Sequence, residues 1–255
     1  MFRYSTVTER YNFSSLNGIT FSFLLGFEFS SSCNASYYVM DSGADKVYIL
    51  NDDWSYVTYK TFTRPAYMIT IGSSIYMTGG VNIWKLDKDL NILIQYNSYV
   101  TAPDNPGYRG MYFNSSNGII YVAPNNLKEI HAFYLSITYS HIISVPYKPF
   151  SISEYKNIMY VGTTNGIVIL IQNELIINQF NGCNGTSVTL TYILFDQYDC
   201  MATICSDPTN KLYLYNTDGT YTGTNLSTPS KPRYIGFDTK GRFVLISTNQ
   251  IIIYN

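Results

Sequence analysis

The fold is decided by the stretch YYVMDSGADKVYILN, residues 37–51. Apolar and aromatic residues fill both of its halves, and Asp41, Ser42 and Gly43 interrupt the pattern between them. This pattern predicts two short β-strands joined by a tight turn. Because the same plan returns in five further segments, the chain is organised as a repeat protein.

The repeats align on the central residue of the second predicted strand in each unit, and consecutive anchor residues lie 38 to 45 positions apart. Each anchor strand is preceded by one predicted strand and followed by a third, and most units carry a fourth. Four strands in about 40 residues are typical of a propeller blade. We therefore predict an all-β, six-bladed β-propeller with four-stranded antiparallel blades. The anchors are Tyr38, Tyr76, Tyr121, Tyr160, Ala202 and Val244.

The last unit ends after its third predicted strand, QIIIY, whereas the N-terminal segment FRYSTVTERYNF has strand character. We expect residues 1–16 to supply the missing fourth strand, which would remove the open edges of the array. A disordered N-terminal arm is the alternative. The whole chain, 1–255, is interpreted as a single domain, with blades at about 17–62, 63–101, 102–146, 147–186, 187–229 and 230–255.

The first and last repeats resemble the NHL repeat. In the first, DSGADKVYIL follows YYVM, and in the last, Pro232, Asp238 and Gly241 stand where NHL repeats often carry Pro, Asp and Gly. The middle repeats depart from this pattern, with GTTNG and APNNLKE at the turn. The resemblance implies a propeller scaffold. NHL-like propellers include protein-interaction modules, RNA-binding modules and the lyase that cleaves peptidyl-α-hydroxyglycine, and fold alone does not choose among them.

The composition limits the classes of partner. Charged residues make up 13% of the chain and the net charge is −1, which disfavours a general binder of nucleic acid. The 26 tyrosines suit pleated, half-buried strands. No apolar run is long enough to span a bilayer, so we expect no membrane insertion.

The four cysteines form no CxxC pair, which disfavours a zinc site or a thioredoxin-like motif. Two interpretations stay open: buried thiols, or one disulfide that joins Cys183 to Cys200 or to Cys205. Cys33 is the fourth. Low charge, the cysteines and the sequons at Asn12, Asn34, Asn114, Asn184 and Asn225 favour an extracellular domain of a larger or processed protein, although the sequons are no more numerous than chance predicts. The N-terminus lacks the pattern of a secretory signal, which disfavours an extracellular location.

The sequence contains no recognisable set of catalytic residues. His131 and His141 fall in predicted third and fourth strands, so neither is expected at the channel axis, which disfavours a histidine-held metal. A GxSxG motif is absent. Most aspartates lie beside turn residues and are interpreted as turn caps; Asp196 and Asp238 occupy equivalent repeat positions. We therefore predict no catalytic residues, no cofactor and no metal ligands.

One constellation predicts binding. In a propeller, the loops that lead into each first strand share a face with the loops between second and third strands. Basic and aromatic side chains at such a channel mouth hold an anionic or carbohydrate-bearing partner through charged hydrogen bonds and stacking. Ordinary solvated loop residues, with tyrosines packed between blades, are the alternative interpretation. The predicted partner-binding residues are Arg64, Tyr67, Tyr108, Arg109, Tyr147, Lys148, Lys231, Arg233 and Tyr234.

The leading hypothesis is a monomeric, non-catalytic module that binds a protein, peptide or glycan with this face. A propeller lyase or hydrolase with a channel-bound metal is the first alternative. Binding of single-stranded RNA by the same basic and aromatic face is the second.

Overall fold

The computed structural model describes residues 7–11, 24–30, 36–97, 107–185, 188–196, 199–206, 211–227, 232–238, 242–247 and 251–254. Across these ranges the regular secondary structure is entirely β-strand, in six four-stranded antiparallel sheets arranged as a propeller. The predicted fold class is confirmed. None of these residues belongs to a helix long and apolar enough to cross a membrane.

Five blades are built from consecutive strands, numbered from the channel outwards. Blade 1 holds β2 (Leu24–Ser30), β3 (Ser36–Asp41), β4 (Lys46–Leu50) and β5 (Tyr56–Thr61). Blade 2 holds β6 (Pro65–Ile71), β7 (Ser74–Gly79), β8 (Asn82–Leu86) and β9 (Ile92–Asn97). Blade 3 holds β10 (Tyr108–Asn114), β11 (Ile119–Pro124), β12 (Glu129–Tyr134) and β13 (Tyr139–Ser144). Blade 4 holds β14 (Pro149–Tyr155), β15 (Ile158–Thr163), β16 (Ile167–Gln172) and β17 (Leu175–Asn181). Blade 5 holds β18 (Leu190–Phe195), β19 (Cys200–Cys205), β20 (Lys211–Asn216) and β21 (Tyr221–Ser227).

The sixth blade closes the ring with strands from both ends of the chain. Its inner strands are β22 (Pro232–Phe237), β23 (Phe243–Ser247) and β24 (Ile251–Tyr254). Its outer strand is β1 (Val7–Tyr11), which pairs antiparallel with β24. The predicted closure by the N-terminal strand is therefore confirmed, and it covers the edge of β24 that would otherwise stay open.

Burial is greatest in the second and third strands of each blade and least in the fourth. The second and third strands of a blade are packed on both faces, so β7 is almost entirely buried and β8 nearly so. The fourth strands, such as β9, are mostly exposed. The buried residues form clusters that lie between neighbouring blades, each with side chains from two or more sheets. The blades are thus held together by face-to-face packing of sheets.

Tyrosines at the repeat anchors tie each blade to the next. The hydroxyl of Tyr38 donates to the Lys88 carbonyl at 2.8 Å, in the turn between the third and fourth strands of blade 2. Tyr76 reaches the equivalent turn of blade 3 and Tyr160 that of blade 5, at 2.9 and 3.1 Å. In blade 3, Tyr121 donates instead to the Glu174 carboxylate of the blade 4 turn. One residue position therefore performs the same inter-blade role four times.

Candidate functional site: the mouth of the channel

Each first strand carries a β-bulge near its start. Between Pro65 and Tyr67 the strand β6 has one more residue than its partner β7, and the same irregularity recurs in the other five first strands. A bulge re-aims the side chain of the extra residue. The six first strands also contact one another in a ring, with β22 next to β2. The bulges therefore form a circle around one end of the channel.

The bulge residues of blades 2 to 6 meet in one narrow pocket at this end. They are chemically diverse, with one alanine, one phenylalanine, one threonine and two arginines. The free volume among them is ≈ 30 Å³. The pocket is lined by the bulge residues Ala66, Arg109, Phe150, Thr191 and Arg233, together with Gly110, Tyr67, Tyr192 and Tyr234. We call this site the mouth pocket.

Three tyrosines pack together across the channel in the mouth pocket. The rings of Tyr192 and Tyr234 have centroids 4.1 Å apart. Tyr67 stacks on Tyr192 with centroids 6.0 Å apart, and its hydroxyl donates to the Tyr192 hydroxyl at 3.2 Å. Blades 2, 5 and 6 supply these rings, so the tyrosines bridge opposite sides of the ring of blades. They form an aromatic layer within the pocket.

The two arginines give the pocket its charge. The pKa of Arg109 is lowered, first by burial and then by repulsion from the charges of Arg64 and Arg233. Burial also lowers the pKa of Arg233. The guanidinium carbon of Arg109 lies 5.8 Å from the centre of the Phe150 ring. Its Nε is buried and has no hydrogen-bond partner among the described residues. The Arg109 backbone is held by the Thr78 hydroxyl, which donates to its carbonyl at 2.7 Å.

Glycine permits the close approach of two first strands beside Arg109. A Cβ atom at Gly110 would lie 2.7 Å from the Ile152 amide nitrogen and 2.7 Å from the Ser151 Cα. Any side chain larger than hydrogen at Gly110 would therefore push β10 and β14 apart. The narrowness of the mouth pocket depends on this position.

Of the nine residues predicted from sequence to bind a partner, Tyr67, Arg109, Arg233 and Tyr234 line the mouth pocket. Arg64 is exposed nearby, and its amide donates to Asp45 Oδ1 at 2.7 Å. Lys148 is exposed beside the start of β14, and Tyr147 is half-buried against the core between blades 3 and 4. Lys231 lies outside the described residues.

Tyr108 does not face the mouth. Its side chain is fully buried, and its hydroxyl lies 3.1 Å from Nδ1 of His131. Nε2 of His131 in turn lies 3.1 Å from Glu129. Tyr108, which was expected at the rim, is instead packed in the core, because the extra residue in β10 shifts the register there and leaves Arg109 on the channel side.

Sequence reasoning missed Phe150, Thr191, Tyr192 and Gly110. Their positions are equivalent in the repeat to those of Arg233 and Tyr234, so the repeat alignment carried the signal. For Phe150 and Thr191 this signal was overlooked because neither residue is basic or a tyrosine.

Two aspartates at equivalent positions outside the mouth cap turns. Asp196 Oδ1 accepts from the Cys200 amide at 2.9 Å, and Asp238 Oδ1 accepts from the Arg242 amide at 2.8 Å. These two aspartates therefore play the same turn-capping role in their blades. Within the described ranges, no three His, Cys, Asp or Glu side chains are placed to hold a metal ion.

A polar cleft opens at the other end of blades 3 and 4, and its two glutamates also have hydrogen-bond partners. Glu174 accepts from the Tyr121 hydroxyl and lies 2.9 Å from His141 Nε2. Glu154 accepts from the Asn157 amide at 2.5 Å. The cleft thus holds its own hydrogen-bond network.

Of the two interpretations of the cysteines, the structure contains the disulfide. A disulfide joins Cys183, after β17, to Cys205 at the end of β19. Cys200 is a free, half-buried thiol, and Cys33 lies outside the described residues. The bond staples the connection between blades 4 and 5 to an inner strand of blade 5.

No protein-family model matches the sequence, and no curated protein matches it significantly. Solved propellers do resemble the structure. Virginiamycin B lyase from Staphylococcus aureus is 17% identical, with 97% of this chain and 87% of that chain covered and a TM-score of 0.67. A streptogramin B lyase is 16% identical over 97% of this chain and 96% of that chain, with a TM-score of 0.65. The Pan2 WD40 domain of Neurospora crassa is 7% identical over 92% and 89%, with a TM-score of 0.66. At such low identity, likeness to both lyases and a WD40 domain shows the β-propeller fold alone.

Proposed function

We propose that the protein is a non-catalytic binding module of the NHL-like propeller type. It recognises a protein, peptide or glycan through the loop face around the mouth pocket. The observation that carries the proposal is the convergence of Arg109 and Arg233 with Tyr67 and Tyr234 at one end of the channel. Arginine forks and aromatic rings are the side chains that most often dominate binding surfaces.

The surroundings of the pocket extend the same chemistry outwards. Arg64 and Lys148 are exposed on loops that lead into β6 and β14. Loops on a rigid scaffold commonly carry binding residues, because the scaffold fixes their positions without constraining their chemistry. A partner that enters the mouth therefore meets a basic rim before it meets the tyrosine layer.

The test uses arrays of defined peptides and glycans. Wild-type protein is compared with a variant that carries alanine at Arg64, Arg109, Lys148 and Lys231. A matched control carries Lys88→Ala and Lys156→Ala, which remove exposed charges in turns at the other end of the blades. Circular dichroism and the denaturation midpoint verify that each variant is folded.

We expect the wild type and the control to bind the same array members and the quadruple variant to lose them. Binding that is unchanged in the folded quadruple variant would remove the mouth face from consideration. Binding to single-stranded RNA oligonucleotides with a steep dependence on salt would replace the proposal with RNA recognition.

A further inference from the structure

The mouth pocket contains an electrostatic imbalance. The side chain of Arg109 is half-buried with its Nε atom fully enclosed, yet no described carboxylate contacts it, and the neighbouring charges are those of Arg64 and Arg233. Its Nε hydrogen has no acceptor among the described residues. Burial of a cation without a partner is destabilising, and proteins usually compensate it with an anion.

We infer that Arg109 and Arg233 form a receptor for one oxyanion, a carboxylate or a phosphate or sulfate group, at the end of a ligand that enters the channel mouth. This inference deepens the proposed function and rests on it. Two guanidinium groups suit an oxyanion because each presents parallel N–H donors that match a pair of oxygen atoms. A halide lacks that geometry.

The size of the pocket limits which part of a ligand can enter it. A free volume of ≈ 30 Å³ accommodates roughly two water molecules. The small space suits a single oxyanion group at the arginines. The tyrosine layer of Tyr67, Tyr192 and Tyr234 packs across the channel beside this space. The remainder of the ligand must therefore lie outside, along the loop face.

Phe150 and Gly110 fix the geometry of the receptor. The Phe150 ring lies beside the Arg109 guanidinium, which restricts the plane of the fork. Gly110 lets β14 approach β10, so Phe150 stays close to Arg109. The arginine is thus positioned before any ligand arrives, and preorganisation of this kind lowers the entropic cost of binding.

The experiment titrates the purified chain with sodium acetate, sodium phosphate and sodium sulfate, each compared with sodium chloride at equal ionic strength. Melting temperature and isothermal calorimetry are the two readouts. Because phosphate and sulfate also stabilise proteins by exclusion from the surface, each shift is taken relative to the same titration of Arg109→Gln. Acetate that acts alone would identify a carboxylate site, whereas phosphate or sulfate that acts alone would identify a site for tetrahedral anions.

We expect saturable stabilisation of the wild type, which follows mass action. Arg109→Gln and Arg233→Gln should each weaken the affinity by roughly tenfold to a hundredfold, the usual loss for a charge-assisted hydrogen bond. Lys88→Gln, which removes a charge from an exposed turn on the opposite face, should leave the affinity unchanged. Arg109→Lys keeps the charge without the fork and should fall between the wild type and Arg109→Gln.

The inference is overturned if all three oxyanions behave like chloride on the wild type, a result that needs no variant to fold. It is also overturned if folded Arg109→Gln and Arg233→Gln bind as the wild type does. Failure of the proposed function can be told apart from failure of this inference. If oxyanion binding depends on Arg109 but the quadruple alanine variant still binds its array members, the oxyanion receptor stands and the mouth is rejected as the partner-binding face. The reverse pattern would keep the partner face and reject the receptor.

Discussion

Removal of the anchor tyrosine hydroxyls tests whether the blades are held together by the repeated hydrogen bond. Tyr38, Tyr76 and Tyr160 are 1%, 2% and 2% exposed, and each donates to a backbone carbonyl of another blade. Replacement by phenylalanine keeps the ring and deletes only the donor. A net loss of about 1 kcal/mol is typical for one such bond. The three bonds lie at three different blade interfaces, so their losses should add to roughly 3 kcal/mol.

Urea denaturation of the triple variant, followed by circular dichroism, measures this loss. The slope of the unfolding free energy with urea should stay the same, because the surface exposed on unfolding is unchanged. Tyr134→Phe is the matched control: its side chain is 50% exposed and it should change stability by less than about 0.5 kcal/mol. A triple variant as stable as this control would refute the argument that the anchor hydroxyls bind blade to blade.

Three further perturbations probe the scaffold and the mouth. Reduction of the Cys183–Cys205 disulfide, with a sequence separation of 22, should lower the free energy of unfolding by roughly 3 kcal/mol, whereas Cys200→Ala should change neither the stability nor its response to reductant. Gly110→Ala should destabilise by about 1–3 kcal/mol, because its Cβ would overlap the backbone of β14, and an unchanged free energy of unfolding would contradict this. Burial raises the pKa of three tyrosines to about 12, so the stability they contribute is complete below pH 10 and is lost as the pH rises towards 12. Phenolate absorbance should therefore develop at higher pH in the native protein than in denaturant, and coincident titrations would contradict the assignment. These tyrosines are Tyr48, Tyr112 and Tyr215.

The fold was predictable because the same pattern of strands and turns occurs six times in the sequence. All six anchor residues lie in second strands, from Tyr38 in β3 to Val244 in β23. The missing fourth strand of the last blade could be inferred by counting, since an unpaired β24 would leave an open edge. The role of the anchor tyrosines could not be inferred, because their acceptors lie in other blades and become neighbours only after the sheets pack.

The disulfide shows a similar limit. Cys200 and Cys205 both belong to β19, and their odd separation places them on opposite faces of the strand. Periodicity therefore indicates that only one of them can face a given partner. Which face meets Cys183 depends on how the loop after β17 packs, and no local pattern contains that information.

The mouth pocket was predictable in its location and only partly in its residues. Tyr108 and Arg109 are adjacent, and a sequence pattern treats both as loop-proximal. The structure buries the first and turns the second towards the channel, because an extra residue in β10 shifts the register there. A bulge adds one residue without a distinctive composition, so it is invisible until the strand pairing is known.

This bulge also explains how one scaffold can carry a specific site. The residue just before the bulge is buried in each of blades 2 to 6, where it secures the start of the first strand. The bulge residue itself ranges from alanine to arginine at equivalent positions. The fold therefore constrains the first of these positions and leaves the second open, so that the chemistry of the mouth can change while the propeller stays intact. Arg109 occupies one of these open positions, and its enclosed Nε, which has no acceptor among the described residues, is the feature that the proposed oxyanion receptor would use. The residues before the bulges are Pro65, Tyr108, Pro149, Leu190 and Pro232.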